Sequence, residues 1–261
     1  MPLQVTLEPA WQITLYYIMV LLLTSMFAKL VSAFLSNVSI RERIRFLVLS
    51  PTLSFQPWSR NGLTKPDDLR LLLMRLAWLY PSLAVIYFLF PSTTSGFSWS
   101  VRGYLAIVPF WLITEAIGST IQFIYALMGI SIAPMHDRPW RSRSLAEFWG
   151  RRWNRLHGDW FRESIFNPMR RRGFVSLVVV FFVSGLLHEI LVNIPMKIVY
   201  GTNLLGSMMI YFLLQAAGIL IGRKWLRQSR LTRTCFLWIT VLGPVPLVLN
   251  EATLRIFHFA E

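Results

Sequence analysis

The sequence predicts an all-α, polytopic transmembrane protein, and three observations predict it. Hydrophobic residues make up 55% of the 261-residue chain and charged residues only 15%, against about 25% charged in an ordinary soluble domain. The mean hydropathy is +0.52. The 26 Lys and Arg, set against 12 Asp and Glu for a net charge of +14, are concentrated between long apolar runs, the arrangement of membrane spans joined by basic connectors. Nucleic acid is set aside as a partner, because the arginines alternate with spans too long and too apolar for a soluble fold to expose. The single cysteine, Cys235, excludes an internal disulfide and a zinc site built on several thiolates.

Six apolar runs are expected to span: about 11–35, 70–90, 103–133, 174–200, 205–222 and 234–250, each near the roughly 20 residues that cross the hydrocarbon core. The first lacks a basic stretch ahead of it and exceeds a signal-peptide core in length, so it reads as a retained helix with Lys29 snorkelling to the interface. Arg75 and Pro81 interrupt the second, the third is long enough to tilt or break, and 46–53 has the apolar character of a re-entrant stretch. Between and around the six runs, the Lys and Arg counts are 0, 5, 1, 10, 0, 5 and 1. That alternation places 36–69, 134–173 and 223–233 in the cytosol and both termini on the far side. Repeats and low-complexity tracts do not occur, and residues 1–261 read as one membrane domain.

Segment 134–173 holds four tryptophans and ten arginines, a density that a passive linker does not need. Ser144 followed by Glu147 has the spacing of a capping box, with a helix starting at Leu145. At helical spacing Leu145, Phe148, Trp149, Trp153, Leu156 and Trp160 share one face. This reads as an amphipathic helix along the membrane, its tryptophans at headgroup level and Arg151, Arg152 and Arg155 away from the stripe's centre, toward phosphates. Asn154 falls roughly opposite the stripe, with Gly150 clearing space one turn before it and His157 on its side. By itself this pattern also fits an interfacial helix whose arginines bind lipid phosphate. His136, His157 and His258 read as loop or interface residues, of which His157, on the Asn154 side, is the one to test.

Two strings are more specific. Phe148-Trp149-Gly150-Arg151-Arg152-Trp153-Asn154 is preceded by Ser142, Arg143, Ser144 and Leu145 and followed by Pro168. Residues 181–189 read FFVSGLLHE, with Ser184, Gly185, His188 and Glu189. Together they resemble the signature of the membrane-bound O-acyltransferases, in particular the wax-synthase-like branch. The resemblance covers about 135–200, a quarter of the chain. Members of that branch usually have longer chains with more helices, which turns the expectation toward a small acyl donor and a compact acceptor.

The residues fit the chemistry that the resemblance implies. His188 stands about 14 residues into its span, roughly 21 Å deep at 1.5 Å per residue, where an ionisable group is costly without a partner or a role. Ser184, one turn earlier, is placed to hold a ring nitrogen, whereas Glu189 faces elsewhere. Acyl transfer from a thioester to an alcohol removes the hydroxyl proton as oxygen attacks, a step suited to a neutral imidazole. The resemblance implies His188 as general base and Asn154 as the group that orients the reacting carbonyl or oxyanion. A re-entrant path of 134–173 is needed to bring them together. Trp149, Trp153 and Ser184 are expected to meet substrate, and Arg151 and Arg152 to receive coenzyme A phosphates.

The implied partners are therefore acyl-CoA, a lipophilic alcohol that is either a fatty alcohol or a terpenoid natural product, and the bilayer. The reaction asks for no metal and no cofactor beyond the acyl-CoA co-substrate, and the endoplasmic reticulum is the family's usual membrane. Two other classes are weighed against this one. A prenyltransferase wants paired aspartate motifs for magnesium, and Asp67-Asp68 stands alone, which leaves a terpene cyclase using Glu115 or Glu189. A transporter or non-catalytic lipid-binding protein is the other, and transporters often carry internal repeats. Glu115, mid-span, is expected to pair with Arg75 or to face the reaction chamber.

Overall fold

In the computed structural model, residues 8–55, 62–63, 66–225 and 229–260 are described. Parts of the connectors expected at 36–69 and 223–233 lie outside them. Helix α1 (Pro9–Leu35) opens with a proline in its first turn, where the missing N–H costs nothing. Its 27 residues reach roughly 40 Å, more than the hydrocarbon thickness of roughly 30 Å. Helix α2 (Ile40–Leu49) is capped by Ser39, whose side chain accepts from the Glu42 N–H. Rather than a re-entrant stretch at 46–53, α2 runs to Leu49 and the chain turns under α1. There Lys29 donates to the carbonyls of Leu47 and Ser50 at 2.8 and 2.9 Å, satisfying carbonyls that the end of a helix leaves open.

Strand β1 (Gly62–Leu63) pairs antiparallel with β2 (Ile130–Ser131), the one ladder among the described residues. Helix α3 (Pro66–Thr94) continues through Arg75, Pro81 and Pro91. The third apolar run does break: α4 (Trp99–Leu105) and α5 (Ile107–Leu127) meet at Ala106. Glu115 of α5 pairs with Arg75 of α3 at 3.3 Å and with His136 Nδ1 at 3.2 Å, an ionic tie across the α3–α5 contact formed by Leu79, Leu112 and Ala116.

Helix α6 (Leu145–Glu147) and α7 (Arg155–Phe161) belong to the signature segment. After the turn α8 (Asn167–Met169), α9 (Phe174–His188) leads through a π turn over Glu189–Asn193 into α10 (Ile194–Tyr200). Helices α11 (Ser207–Trp225), α12 (Arg230–Leu242) and α13 (Glu251–Ile256) complete the chain's described part. Gly185 lets α9 approach α11: a Cβ there would lie 3.0 Å from Met209 Sδ and 3.1 Å from its Cα. Small residues at such crossings matter because lipid-embedded helices associate through close packing rather than hydrophobic exclusion.

Among the described residues four helices are long and apolar enough to cross a membrane: Pro9–Leu35, Asp68–Thr94, Ile107–Leu127 and Phe174–Tyr200. This corrects the expected six. The run at 205–222 is helical as α11, but Gln215 interrupts it and Arg223 and Lys224 end it. The run at 234–250 is split between the 13-residue α12 and a single 3-10 turn. The loop-by-loop charge alternation drawn on six spans does not carry over to four.

Candidate active site

An apolar cavity of about 1000 Å³ lies between α1, α5, the signature segment, α9 and α11, and His188, Asn154, His157, Trp149, Trp153 and Ser184 all line it. The signature segment thus brings Asn154 to the cavity that His188 also lines. It is not one continuous amphipathic helix, and that expectation is corrected here. Ser144 does cap the start, accepting from the Glu147 N–H at 3.2 Å. Helix α6 then ends after one turn and passes into a π turn over Phe148–Arg152, closed by the Trp153 N–H on the Phe148 carbonyl at 2.9 Å. Trp153 is extended, and Asn154 takes the left-handed conformation, φ 38°, as N-cap of α7. π turns are rare and concentrate at functional sites, and asparagine is among the few residues that enter the left-handed region at small cost.

The break has a visible cause. Met135 and Asp137 run beside it, the Met135 carbonyl accepting from the Arg155 N–H at 2.8 Å and the Asp137 N–H donating to the Arg152 carbonyl at 2.9 Å. These bonds satisfy backbone groups that a continuous helix would have paired internally. Met135 in turn reaches α5 because position 118 is glycine, where a Cβ would lie 2.8 Å from Met135 Cβ.

The tryptophans of the expected stripe turn inward rather than to the headgroups. Phe148 stacks on Trp153 with centroids 5.6 Å apart, and Trp149 meets Phe181, Tyr211 and Phe212 edge-on or tilted at 5.9–6.4 Å. Trp149 Nε1–H donates to Gln215 Oε1 at 3.2 Å, and Gln215 Nε2 donates to the Thr240 carbonyl at 2.9 Å. Gln215, fully buried, therefore ties the signature to α11 and α12. The sequence reading missed it, although a lone amide inside an apolar run is itself a signal. Trp160, further along the stripe, donates to the Ala28 carbonyl of α1 at 2.9 Å.

His188 Nδ1 lies 2.7 Å from the Ser184 carbonyl oxygen. It is this backbone carbonyl, not the serine hydroxyl, that holds the ring. A carbonyl only accepts, so Nδ1 carries the proton and the neutral ring presents the lone pair of Nε2. Phe212 packs against the imidazole at 4.4 Å between centroids. The next residue, Glu189, is buried and turned to the other side, accepting from Asn193 Nδ2 at 2.8 Å and from the Met209 N–H at 3.0 Å.

Of the two motif arginines, Arg152 is engaged. It donates to Glu147 at 2.7 Å and to the Asp137 carbonyl at 3.1 Å. Burial alone would raise the Glu147 pKa, but the Arg143 N–H and the Arg152 guanidinium outweigh it and hold the carboxyl below its ordinary value. Arg151 is exposed. His157 Nδ1 is 3.1 Å from Asn154 Oδ1. Burial, and then the neighbouring His188, push the His157 pKa down to about 4. His136 does lie in a loop, but a buried one: it packs against Trp153, centroids 4.6 Å apart, and lines both the main cavity and a second one of about 470 Å³.

Comparison with known proteins falls on the same segment. Residues 132–214 match the Membrane bound O-acyl transferase family. A probable long-chain-alcohol O-fatty-acyltransferase of Arabidopsis thaliana is 37% identical over 73 residues, 24% of this chain and 21% of that protein. The long-chain-alcohol O-fatty-acyltransferase of Simmondsia chinensis is 34% identical over 92 residues, 31% of this chain and 26% of the relative. Diacylglycerol O-acyltransferase 1 of Dictyostelium discoideum is 34% identical over 113 residues, 42% and 17% of the two chains. The chain thus covers about a quarter or less of the length of these relatives. Both strings that first suggested the relationship lie inside the matched region, and over residues 132–214 the chain is similar to the membrane-bound O-acyltransferase family and to its wax-synthase-like relatives.

Proposed function

We propose that this protein transfers an acyl group from acyl-CoA to the hydroxyl of a lipophilic alcohol. The observation that carries the reading is His188, whose Nδ1 is fixed on the Ser184 carbonyl at 2.7 Å in the wall of an apolar cavity that Asn154 also lines. His188 Nε2 takes the hydroxyl proton as the alcohol oxygen attacks the thioester carbonyl. The Asn154 amide donates to the developing oxyanion. Collapse of the tetrahedral intermediate breaks the carbon–sulfur bond, and the imidazolium returns its proton to the leaving CoA sulfur. Ester and free CoA result, and the step as written uses no metal and no further cofactor.

The acyl-CoA headgroup stays in the cytosol beside the basic segment, with Arg151 meeting its phosphates. Arg152 joins it only by leaving Glu147. The alcohol enters from the bilayer, and Trp149 and Trp153 flank the reacting chains. The names of the plant relatives favour a long-chain fatty alcohol as acceptor, and the volume and apolar lining of the cavity agree. A compact terpenoid alcohol is the other acceptor that fits an apolar chamber. We place the protein in the endoplasmic reticulum membrane with 134–173 on the cytosolic side. Both intramembrane carboxylates are engaged, Glu115 with Arg75 and His136 and Glu189 with Asn193 and the Met209 N–H, which favours a transferase over a cyclase that needs a free acid.

The test is to incubate membranes holding the wild type or His188→Ala with acetyl-CoA and with longer acyl-CoAs, plus a lipid extract of the native host, and to record CoA release with the mass of new products. A His188-dependent product heavier than its acceptor by one acyl unit is expected, and its mass names donor and acceptor. Equal turnover by the variant, or no CoA-dependent product with any donor, overturns the reading.

A further inference from the structure

The Asn154 side chain is held from one side only. Its Oδ1 lies 3.4 Å from the His157 backbone N–H and 3.1 Å from His157 Nδ1. A backbone N–H only donates, so the amide atom facing it is the oxygen. The same oxygen then requires His157 Nδ1 to be the protonated ring nitrogen. Of the two bonds, the backbone one lies beyond the usual N–H···O range and the ring one within it, so the orientation of the amide rests mainly on the imidazole. The opposite end of the amide, Nδ2, makes no hydrogen bond among the described residues, and Asn154 borders the cavity.

We propose that His157 is the positioning residue of this site: its Nδ1–H holds Asn154 Oδ1 and so turns the Asn154 Nδ2 donor into the reaction cavity. The consequence for catalysis rests on the transferase reading above, while the pairing itself does not. An asparagine amide free to rotate by 180° presents its oxygen as often as its nitrogen, and an oxygen facing an oxyanion repels it. Holding one orientation therefore acts on the transition state and not on ground-state binding. The geometry that permits this is local. Asn154 is the left-handed N-cap of α7, which places its side chain over the first turn, and His157 is the third residue of that turn. His188 is held by the same device, an acceptor on Nδ1, so the cavity wall carries two imidazoles whose Nε2 atoms are the unprotonated ones.

The pairing is read directly from the protein in lipid nanodiscs, labelled with 15N-histidine. His157 is expected in its Nδ1–H tautomer in the wild type and to lose that preference in Asn154→Ala. A wild-type His157 in the Nε2–H tautomer, or one unmoved by Asn154→Ala, overturns the proposal even if no acyl transfer is found. Activity then tests the role. His157→Ala is expected to lower kcat by roughly 10- to 100-fold with KM changed less than about twofold, and His157→Asn, whose amide offers a donor at the position of Nδ1, to recover most of it. The double variant Asn154→Ala/His157→Ala is expected to be no slower than Asn154→Ala alone. Wild-type kcat in His157→Ala, or a further loss in the double variant, shows that His157 does not act through Asn154.

Discussion

His188 and Asn154 border one cavity but reach it by opposite means. His188 sits at the end of a regular 15-residue helix, α9, held by its own preceding turn. Asn154 sits where helix is refused: after a π turn, at φ 38°, beside a laced segment at 135–137. The difference separates a residue whose position follows from periodicity from one whose position follows from tertiary competition for backbone hydrogen bonds. The two should also break differently. His188→Ala leaves the helix intact and is expected to cost about 10²- to 10⁴-fold in turnover, the usual contribution of a general base, with membrane insertion and tryptophan fluorescence unchanged. Loss of insertion in that variant would mean that the imidazole is a packing element instead.

At Asn154 the side chain and the backbone carry separate loads, so two substitutions separate them. Both Asn154→Ala and Asn154→Gly remove the amide and are expected to lower kcat by about 10²-fold, as for an oxyanion donor. Only alanine also strains a left-handed position, by about 1–2 kcal/mol, so it is expected to melt at a lower temperature than the glycine variant. Equal melting temperatures would show that the left-handed backbone is not fixed by the fold.

Legibility in the sequence follows the same division. The helices of α1, α3, α5 and α9 were visible because apolar runs need no tertiary information to be helical in lipid, and His188 was visible because a polar group stands out within one. The Ser144 cap was visible because it is local. The π turn at Phe148–Arg152 was not, since it exists through Met135, Asp137 and the clearance at Gly118, residues 11 or more positions away along the chain. The same hidden contacts turned the tryptophans inward and made His136 a wall of the cavity. Periodicity places a face but not the neighbour that interrupts it. The count of spans differs for a local reason: Gln215 and the Arg223–Lys224 end shorten the apolar stretch of α11 and α12 has only 13 residues, although both still expose apolar side chains such as Ile210, Leu214 and Ile239.

Gln215 probes the tether between the two regions. Gln215→Leu keeps the volume but leaves the Trp149 indole N–H and the Thr240 carbonyl without their partner, at about 1–3 kcal/mol each when buried. A fall in thermal midpoint is expected together with a change in Trp149 emission and a turnover loss smaller than that of Asn154→Ala. An unchanged midpoint would show that water or lipid replaces the amide and that the signature needs no anchor on α11.

The smallest expected effect is the pH dependence that His157 adds. Burial against the cavity and the neighbouring His188 hold its folded pKa at about 4, whereas in the unfolded chain it titrates near 6.5. Between those values the unfolded chain binds the extra proton, so stability declines as pH falls through that interval and is fully present above it. Thermal midpoints measured from pH 7 to pH 5 are therefore expected to drop more steeply for the wild type than for His157→Asn, which has no group to protonate. Taking the difference between the two chains cancels every titration they share. Parallel slopes would place His157 in contact with water, and a water-exposed ring would also be free to release Asn154, so this modest slope reports on the same hydrogen bond that sets the orientation of the amide.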